Sequence, residues 1–180
     1  PFKKLYSSEI IDSVAERART RFKNDKRVEI IQASSIEALA RQLPSIDGNC
    51  IFWLDAHFPG AEEGLKDYNE IEDEAIKLPL QREMELIASR KYQYKDVILV
   101  DDLRIYEEGP FDSGNLPANV LPPKVRNTQF VNNLFGDTHT IYKFYKDEGY
   151  LILLPLDFKN PSGLQKIIFE LQKVIFKRIL

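Results

Sequence analysis

Strand and helix patterns alternate along this chain, which predicts an α/β domain with a largely parallel sheet. Three observations carry the prediction. Short runs such as "VEIIQ" and "VILV" are separated by stretches whose apolar residues recur at helical spacing. Residues 50–54 ("CIFWL") and 97–100 ("VILV") have no polar face, as strands covered by helices on both sides should. Two final strand-like runs flank Asp147 and Gly149, which suit a tight turn, so an antiparallel hairpin should close the sheet.

The elements follow in order. "KKLYSSEI" is a short strand ending near Glu9. Ile10, Ile11, Val14, Ala15, Ala18 and Phe22 then mark one face of a helix whose other face carries arginines. "RVEIIQAS" is a second strand, rich in β-branched residues. "SSIEALARQL" is a helix capped by Ser34 or Ser35 and stopped before Pro44. "NCIFWLDA" is the third strand, and an acidic loop occupies residues 62–74. "PLQREMELIASRKYQ" starts a helix at Pro79, and "DVILVDD" is the fourth strand. Residues 107–123 hold four prolines and are irregular. "VRNTQFVNNLF" is a helix, and "THTIYKFYKDEGYLILLPL" is the hairpin. "LQKIIFELQKVIFKRIL" closes the chain as an amphipathic helix. The expected division is a domain over residues 1–158 and this helix within 159–180.

Composition limits the function classes. The chain has 180 residues, enough for one domain with a full core. Its net charge of -3 offers no general attraction for nucleic acid or anionic membrane. One cysteine excludes an internal disulfide framework and fits a cytoplasmic, reducing setting. No apolar run is long enough to span a bilayer, so no stable membrane insertion is expected.

The chemistry gathers at strand ends. Asp55 and His57 follow the third strand, and Asp101 and Asp102 follow the fourth. In open α/β sheets, ligands bind beyond the carboxyl ends of the strands. Carboxylates converging there repel one another unless a positive centre sits between them. A hard divalent ion such as Mg²⁺, with oxygen ligands from Asp55, Asp101 and Asp102, would serve. His57 would then be a base or a further ligand. The alternative is that each Asp only caps the following turn. If Asp55, Asp101 and Asp102 share one Mg²⁺, Asp102→Asn should weaken metal binding and leave the metal-free chain as stable as before, or more so. Glu9, at the end of the first strand, has two readings: acceptor for ribose hydroxyls, or partner to the dipole of the following helix.

In order and spacing, "LYSSEI", "VEIIQASS", "FWLDAHFPG" and "VILVDDLRIY", with the closing hairpin, resemble the class I S-adenosylmethionine-dependent methyltransferases. The likeness is nearest to the metal-dependent O-methyltransferases. It implies a Rossmann-like, mostly parallel sheet with a closing antiparallel pair, the terminal helix being extra. It implies that Glu9 binds the cofactor's ribose, that Ala33 and Ser34 flank its adenine, and that Asp55 belongs to both cofactor and metal sites. Asp55, Asp101 and Asp102 would hold Mg²⁺, and His57 would be the catalytic base. The acceptor would be a hydroxyl of a small molecule or sugar, in a little-characterised bacterial branch. Two departures stand out. The family's opening strand, central in its sheet, and the Gly-rich loop after it have no counterpart here, which suggests that they precede Pro1 in a longer product. Ser34 stands where the family often has an acid. Those departures favour the alternative of a methyltransferase-like fold serving as a binding or assembly module. A metal-assisted hydrolase on the same acids is a third possibility.

The remaining signals are weaker. Trp53 reads as core, His139 as a surface residue at a strand start, and Tyr142, Phe144, Tyr145 and Tyr150 as core or sheet surface. Arg104 would pair with a bound anion or with Glu107 or Glu108. Residues 62–74 and 110–123 are loops, or lids over the acceptor. Leu164, Ile167, Ile168, Leu171, Val174, Ile175 and Ile179 form the stripe of the final helix. It would pack on a second copy, giving a homodimer, on a missing N-terminal part, or back on its own sheet.

Overall fold

A computed structural model describes residues 2–57, 77–117 and 126–159. The acidic segment 62–74, part of the proline-rich segment and the final amphipathic helix lie outside the described residues. Strand β1 (Leu5–Glu9) leads into helix α1 (Asp12–Phe22), β2 (Val28–Gln32) and α2 (Ser35–Gln42). A short 3-10 turn, Leu43–Ser45, precedes β3 (Ile51–Leu54). Then come α3 (Leu80–Ala88), β4 (Val97–Val100), a 3-10 turn at Leu103–Ile105, α4 (Gln129–Phe135), β5 (His139–Phe144) and β6 (Tyr150–Pro155).

The protein is α/β, with a mixed rather than mostly parallel sheet. β1 and β2 pair in parallel as a two-stranded sheet, Leu5 opposite Val28 and Glu9 opposite Gln32. The other four strands form a second sheet in the order β3-β4-β6-β5. β3 and β4 are parallel, whereas β6 runs antiparallel to both β4 and β5. The hairpin turns at Asp147 (φ 54°) and Gly149 (φ 86°), where the left-handed backbone suits glycine. A Cβ on Gly149 would also meet the Phe111 ring at 2.3 Å.

Burial follows sheet position. β6 is buried along its whole length and β4 nearly so, because both are interior strands. β3 is an edge strand of its sheet. Of its four residues only Leu54 is buried, and Ile51 is 47% exposed. The expectation that residues 50–54 are covered on both faces therefore fails at the start of β3. Period-two alternation sorts the interior strands. Ile98, Val100, Leu151 and Leu153 pack with Leu80, Met84 and Ile87 of α3 and with Val131 and Phe135 of α4. Leu99, Tyr150, Ile152 and Leu154 form a second cluster with Trp53, Tyr142 and Phe144. α3 packs between α2 and α4.

The end of the sheet opposite the acids is locked by a buried ion pair. Arg90 Nε donates to Asp96 Oδ2 at 2.8 Å, and Cys50 N–H donates to Asp96 Oδ1 at 2.7 Å. The guanidinium also donates to the carbonyls of Ile46 and Gly48, and lies 4.0 Å from the Tyr94 ring centre. His139 belongs to this knot rather than to the surface. It is 4% exposed, its Nε2 meets the Asp96 carbonyl at 3.0 Å, and its ring stands edge-on to Phe135. β5 starts beneath α4, so its first side chain is covered. Burial lowers the imidazole pKa, which keeps His139 neutral. Among the described residues, no helix is long and apolar enough to cross a membrane.

Candidate functional site

The parallel pairing of β3 with β4 delivers the acids together. Leu54 lies opposite Val100, and Asp101 N–H donates to the Leu54 carbonyl at 3.0 Å, closing the ladder. Beyond that bond both chains turn away. Asp101 Oδ1 accepts a 2.9 Å hydrogen bond from the N–H of the next residue, Asp102. Asp102 takes a left-handed backbone (φ 52°), uncommon for any residue but glycine. The β5–β6 turn enforces it: Leu103 N–H donates to the Gly149 carbonyl at 2.9 Å and Arg104 N–H to the Glu148 carbonyl at 3.0 Å. The fold thus imposes local strain where the chemistry-bearing residues meet.

The turn sends Asp102 to His57. His57 Nε2 lies 2.7 Å from Asp102 Oδ2 and 3.5 Å from Asp55 Oδ1. The histidine side chain is 7% exposed, Asp102 12%, and Asp55 49%. Burial alone would lower the imidazole pKa. The hydrogen bonds and charges of Asp102 and Asp55 outweigh it and push the value up to about 10. At neutral pH His57 is therefore an imidazolium between two carboxylates, and in that state it cannot accept another proton. Its partner Asp102 is held below the usual carboxylate range, because contacts with His57, Glu148 and Arg104 outweigh its burial. The Asp102 charge is thus paired rather than merely repelled, which argues against a neutral or stabilising effect of removing it.

The structure brings together Asp55, His57 and Asp102, with one ligand atom of each within 4.8 Å of the others. Asp101 stands beside this group, with Oδ1 occupied by the Asp102 N–H. Burial, then the charge of Asp55, pushes its carboxyl up to about 7.

Two acids join the site that the strand-end argument did not single out. Glu148, in the hairpin turn, pairs with Arg104. Interaction with Asp102 and burial push it up to about 7, so a proton shared by the two carboxyls rests on Glu148. Arg104 therefore pairs with neither Glu107 nor Glu108. Glu83, in the first turn of α3, is 1% exposed, and neither of its oxygens has a hydrogen-bond partner among the described residues. Burial, with a contribution from the charge of Asp55, pushes it up to about 7, while Ser35 and the charge of His57 hold the rise back. Ser35 is close enough to help but not in hydrogen-bonding geometry. Tyr106, buried nearby, is held as a neutral phenol by burial and by Glu83, Asp102 and Asp55. A signal for Glu83 did exist in the sequence. It falls on the buried stripe of α3, with Leu80, Met84 and Ile87, where a carboxylate needs a reason. Glu148 had no such signal, since a turn acid is ordinary.

The remaining predicted residues lie around the β1–β2 pair. Glu9 ends β1, and its Oε1 accepts from the Ile11 N–H at 2.8 Å, the helix-terminus role. Ala33 is buried, and its N–H donates to the Glu9 carbonyl. Ser34 is the N-cap of α2 in a reciprocal capping box with Glu37. Through Ser35 and Glu83, the head of α2 reaches the acid cluster. Comparison with known protein families, with curated proteins and with solved structures gives no match.

Proposed function

We propose that the chain is an S-adenosylmethionine-dependent methyltransferase acting on a hydroxyl oxygen of a small molecule or sugar, with a divalent metal at the strand-end cluster. The observation that carries this reading is the convergence of Asp55 and His57 from β3 with Asp102 from β4, beside the buried Glu83. The antiparallel β5–β6 pair next to β4 agrees with the family's closing strands. The family's opening strand, central in its sheet, would lie between the β1–β2 pair and β3, which belong to separate sheets here.

S-adenosylmethionine would supply the electrophilic methyl group, and the metal would hold and acidify the acceptor hydroxyl. The chain's own residues do the rest. Asp55 and Asp102 would supply the oxygens that hold the metal. Arg104 and Glu148 brace Asp102 from behind. Glu83, Asp101 and Glu148 have pKa values near neutrality, so they can take up or release a proton at a carboxylate oxygen there. Glu9 and Ala33 flank the strand ends where a nucleoside would bind.

A second reading, a methyltransferase-like fold acting as a binding module without catalysis, has one observation in its favour. The side chains of Glu9 and Ser34 already bond within the chain. Calorimetric titration with S-adenosylmethionine, with and without divalent metal, separates the two. Binding is expected for the enzyme, and no heat in either condition refutes it.

A further inference from the structure

Carboxyl groups from four separate segments act on one another at this site: Asp55 after β3, Asp101 and Asp102 after β4, Glu83 on α3, and Glu148 in the hairpin turn. Two cations act on the strand-end acids, His57 on Asp101 and Asp102 and Arg104 on Asp102. A cluster of acids alone would prove nothing, since exposed acids gather without a ligand. Glu83 is different. It is 1% exposed, neither of its oxygens has a hydrogen-bond partner among the described residues, and beside Ser35 the groups that act on it are His57 and Asp55 of the cluster. A carboxylate is not kept in such a place without a compensating partner.

The donor set indicates what that partner is. One atom, His57 Nε2, approaches both Asp102 and Asp55, so its proton sits where a cation would meet all three side chains. Mg²⁺ favours oxygen ligands and keeps much of its water, whereas imidazole nitrogen suits first-row transition metals. Asp101, the third oxygen expected for Mg²⁺, spends Oδ1 on the Asp102 backbone.

We propose that Asp55, His57 and Asp102 bind a divalent first-row transition metal of the Mn²⁺, Fe²⁺ or Co²⁺ class in preference to Mg²⁺, with Glu83 as the buried carboxylate that balances its charge. The proposal rests on the strand-end metal site of the function proposed above, and it changes the ion implied by the resemblance. On binding, the Nε2 proton of His57 leaves to solvent, and the ring nitrogen donates its electron pair to the ion.

The test uses the chain stripped of metal with a chelator. Co²⁺ is added and followed by its visible absorption, with Mg²⁺ as competitor. Saturable Co²⁺ bands that survive about a thousandfold excess of Mg²⁺ are expected. The Mn²⁺ form of the unaltered chain should show imidazole-nitrogen modulation of its electron spin echo, a readout that needs no variant. His57→Ala should abolish that modulation and weaken Co²⁺ binding at least about tenfold. Glu83→Gln should weaken binding several-fold while leaving the shape of the Co²⁺ spectrum unchanged. Absence of Co²⁺ binding overturns the proposal, as does Mg²⁺ competing on equal terms with no nitrogen modulation. An unchanged affinity in Glu83→Gln removes Glu83 from it. S-adenosylmethionine binding is measured on the same sample. Cofactor binding without Co²⁺ binding sinks this inference alone, and the reverse sinks the methyltransferase reading alone.

Discussion

Replacing Asp102 by Asn removes one charge and little else. Asn is among the residues that tolerate the left-handed backbone found at this position (φ 52°), so the turn should survive. What changes is the partner of His57. The imidazole pKa is about 10 in the folded chain against 6.5 unfolded. A raised pKa contributes stability that is fully present below the unfolded value and is lost as pH rises through the folded one. At about 1.4 kcal/mol per tenfold change, the gap corresponds to roughly 4 kcal/mol at pH 7. Asp55 remains in the variant and holds part of it, and Glu148 is relieved of its neighbour's charge. A net loss of about 2–3 kcal/mol at pH 7 is therefore expected. The assay is urea unfolding of both proteins in chelator, at pH 7 and again above about pH 10, where His57 of the parent also loses its proton. The loss should shrink at the higher pH. Equal stability at pH 7, or a loss that does not change with pH, would refute the imidazolium pairing.

Other outcomes follow from the same structure. Glu83→Gln should stabilise the metal-free chain by about 2–3 kcal/mol above pH 7 and by little near pH 4. The sign follows from a carboxyl whose pKa is higher folded (about 7) than unfolded, and thermal unfolding across that pH range checks it. Asp96→Ala should cost about 3–5 kcal/mol, because it leaves the buried Arg90 guanidinium without its counter-charge; denaturant titration reads it. Ser34→Ala should cost about 1 kcal/mol through loss of the α2 cap. If it also weakens S-adenosylmethionine binding more than Glu37→Ala does, Ser34 touches the cofactor as well. Met84→Ala, in the fully buried stripe of α3, should cost about 2–5 kcal/mol without changing metal affinity, measured by denaturant melts and Co²⁺ titration together.

Local pattern determined a good deal of this protein. Period-two and helical spacing placed the described strands and helices, because burial on one face leaves a periodic trace in the chain. The turn at Asp147 and Gly149 was legible because left-handed backbone selects few residue types. That Asp55, His57, Asp101 and Asp102 share one rim was also legible, since parallel strands put their carboxyl ends on the same side. Strand order was not: whether "CIFWL" is an edge and "YLILLP" an interior strand depends on pairing between distant segments, and both are simply apolar in sequence. His139 read as surface until β5 was placed beneath α4. The members of the cluster were decided in the same way. Spacing treats Asp101 and Asp102 as equals, but the hairpin turn at Glu148 and Gly149 forces Asp102 into the left-handed region and aims it at His57. Glu83 and Glu148 join from elements remote in sequence, and their charge states arise from burial and neighbours. Such properties belong to the packed chain, because desolvation and short-range charge depend on distances in space rather than along the sequence.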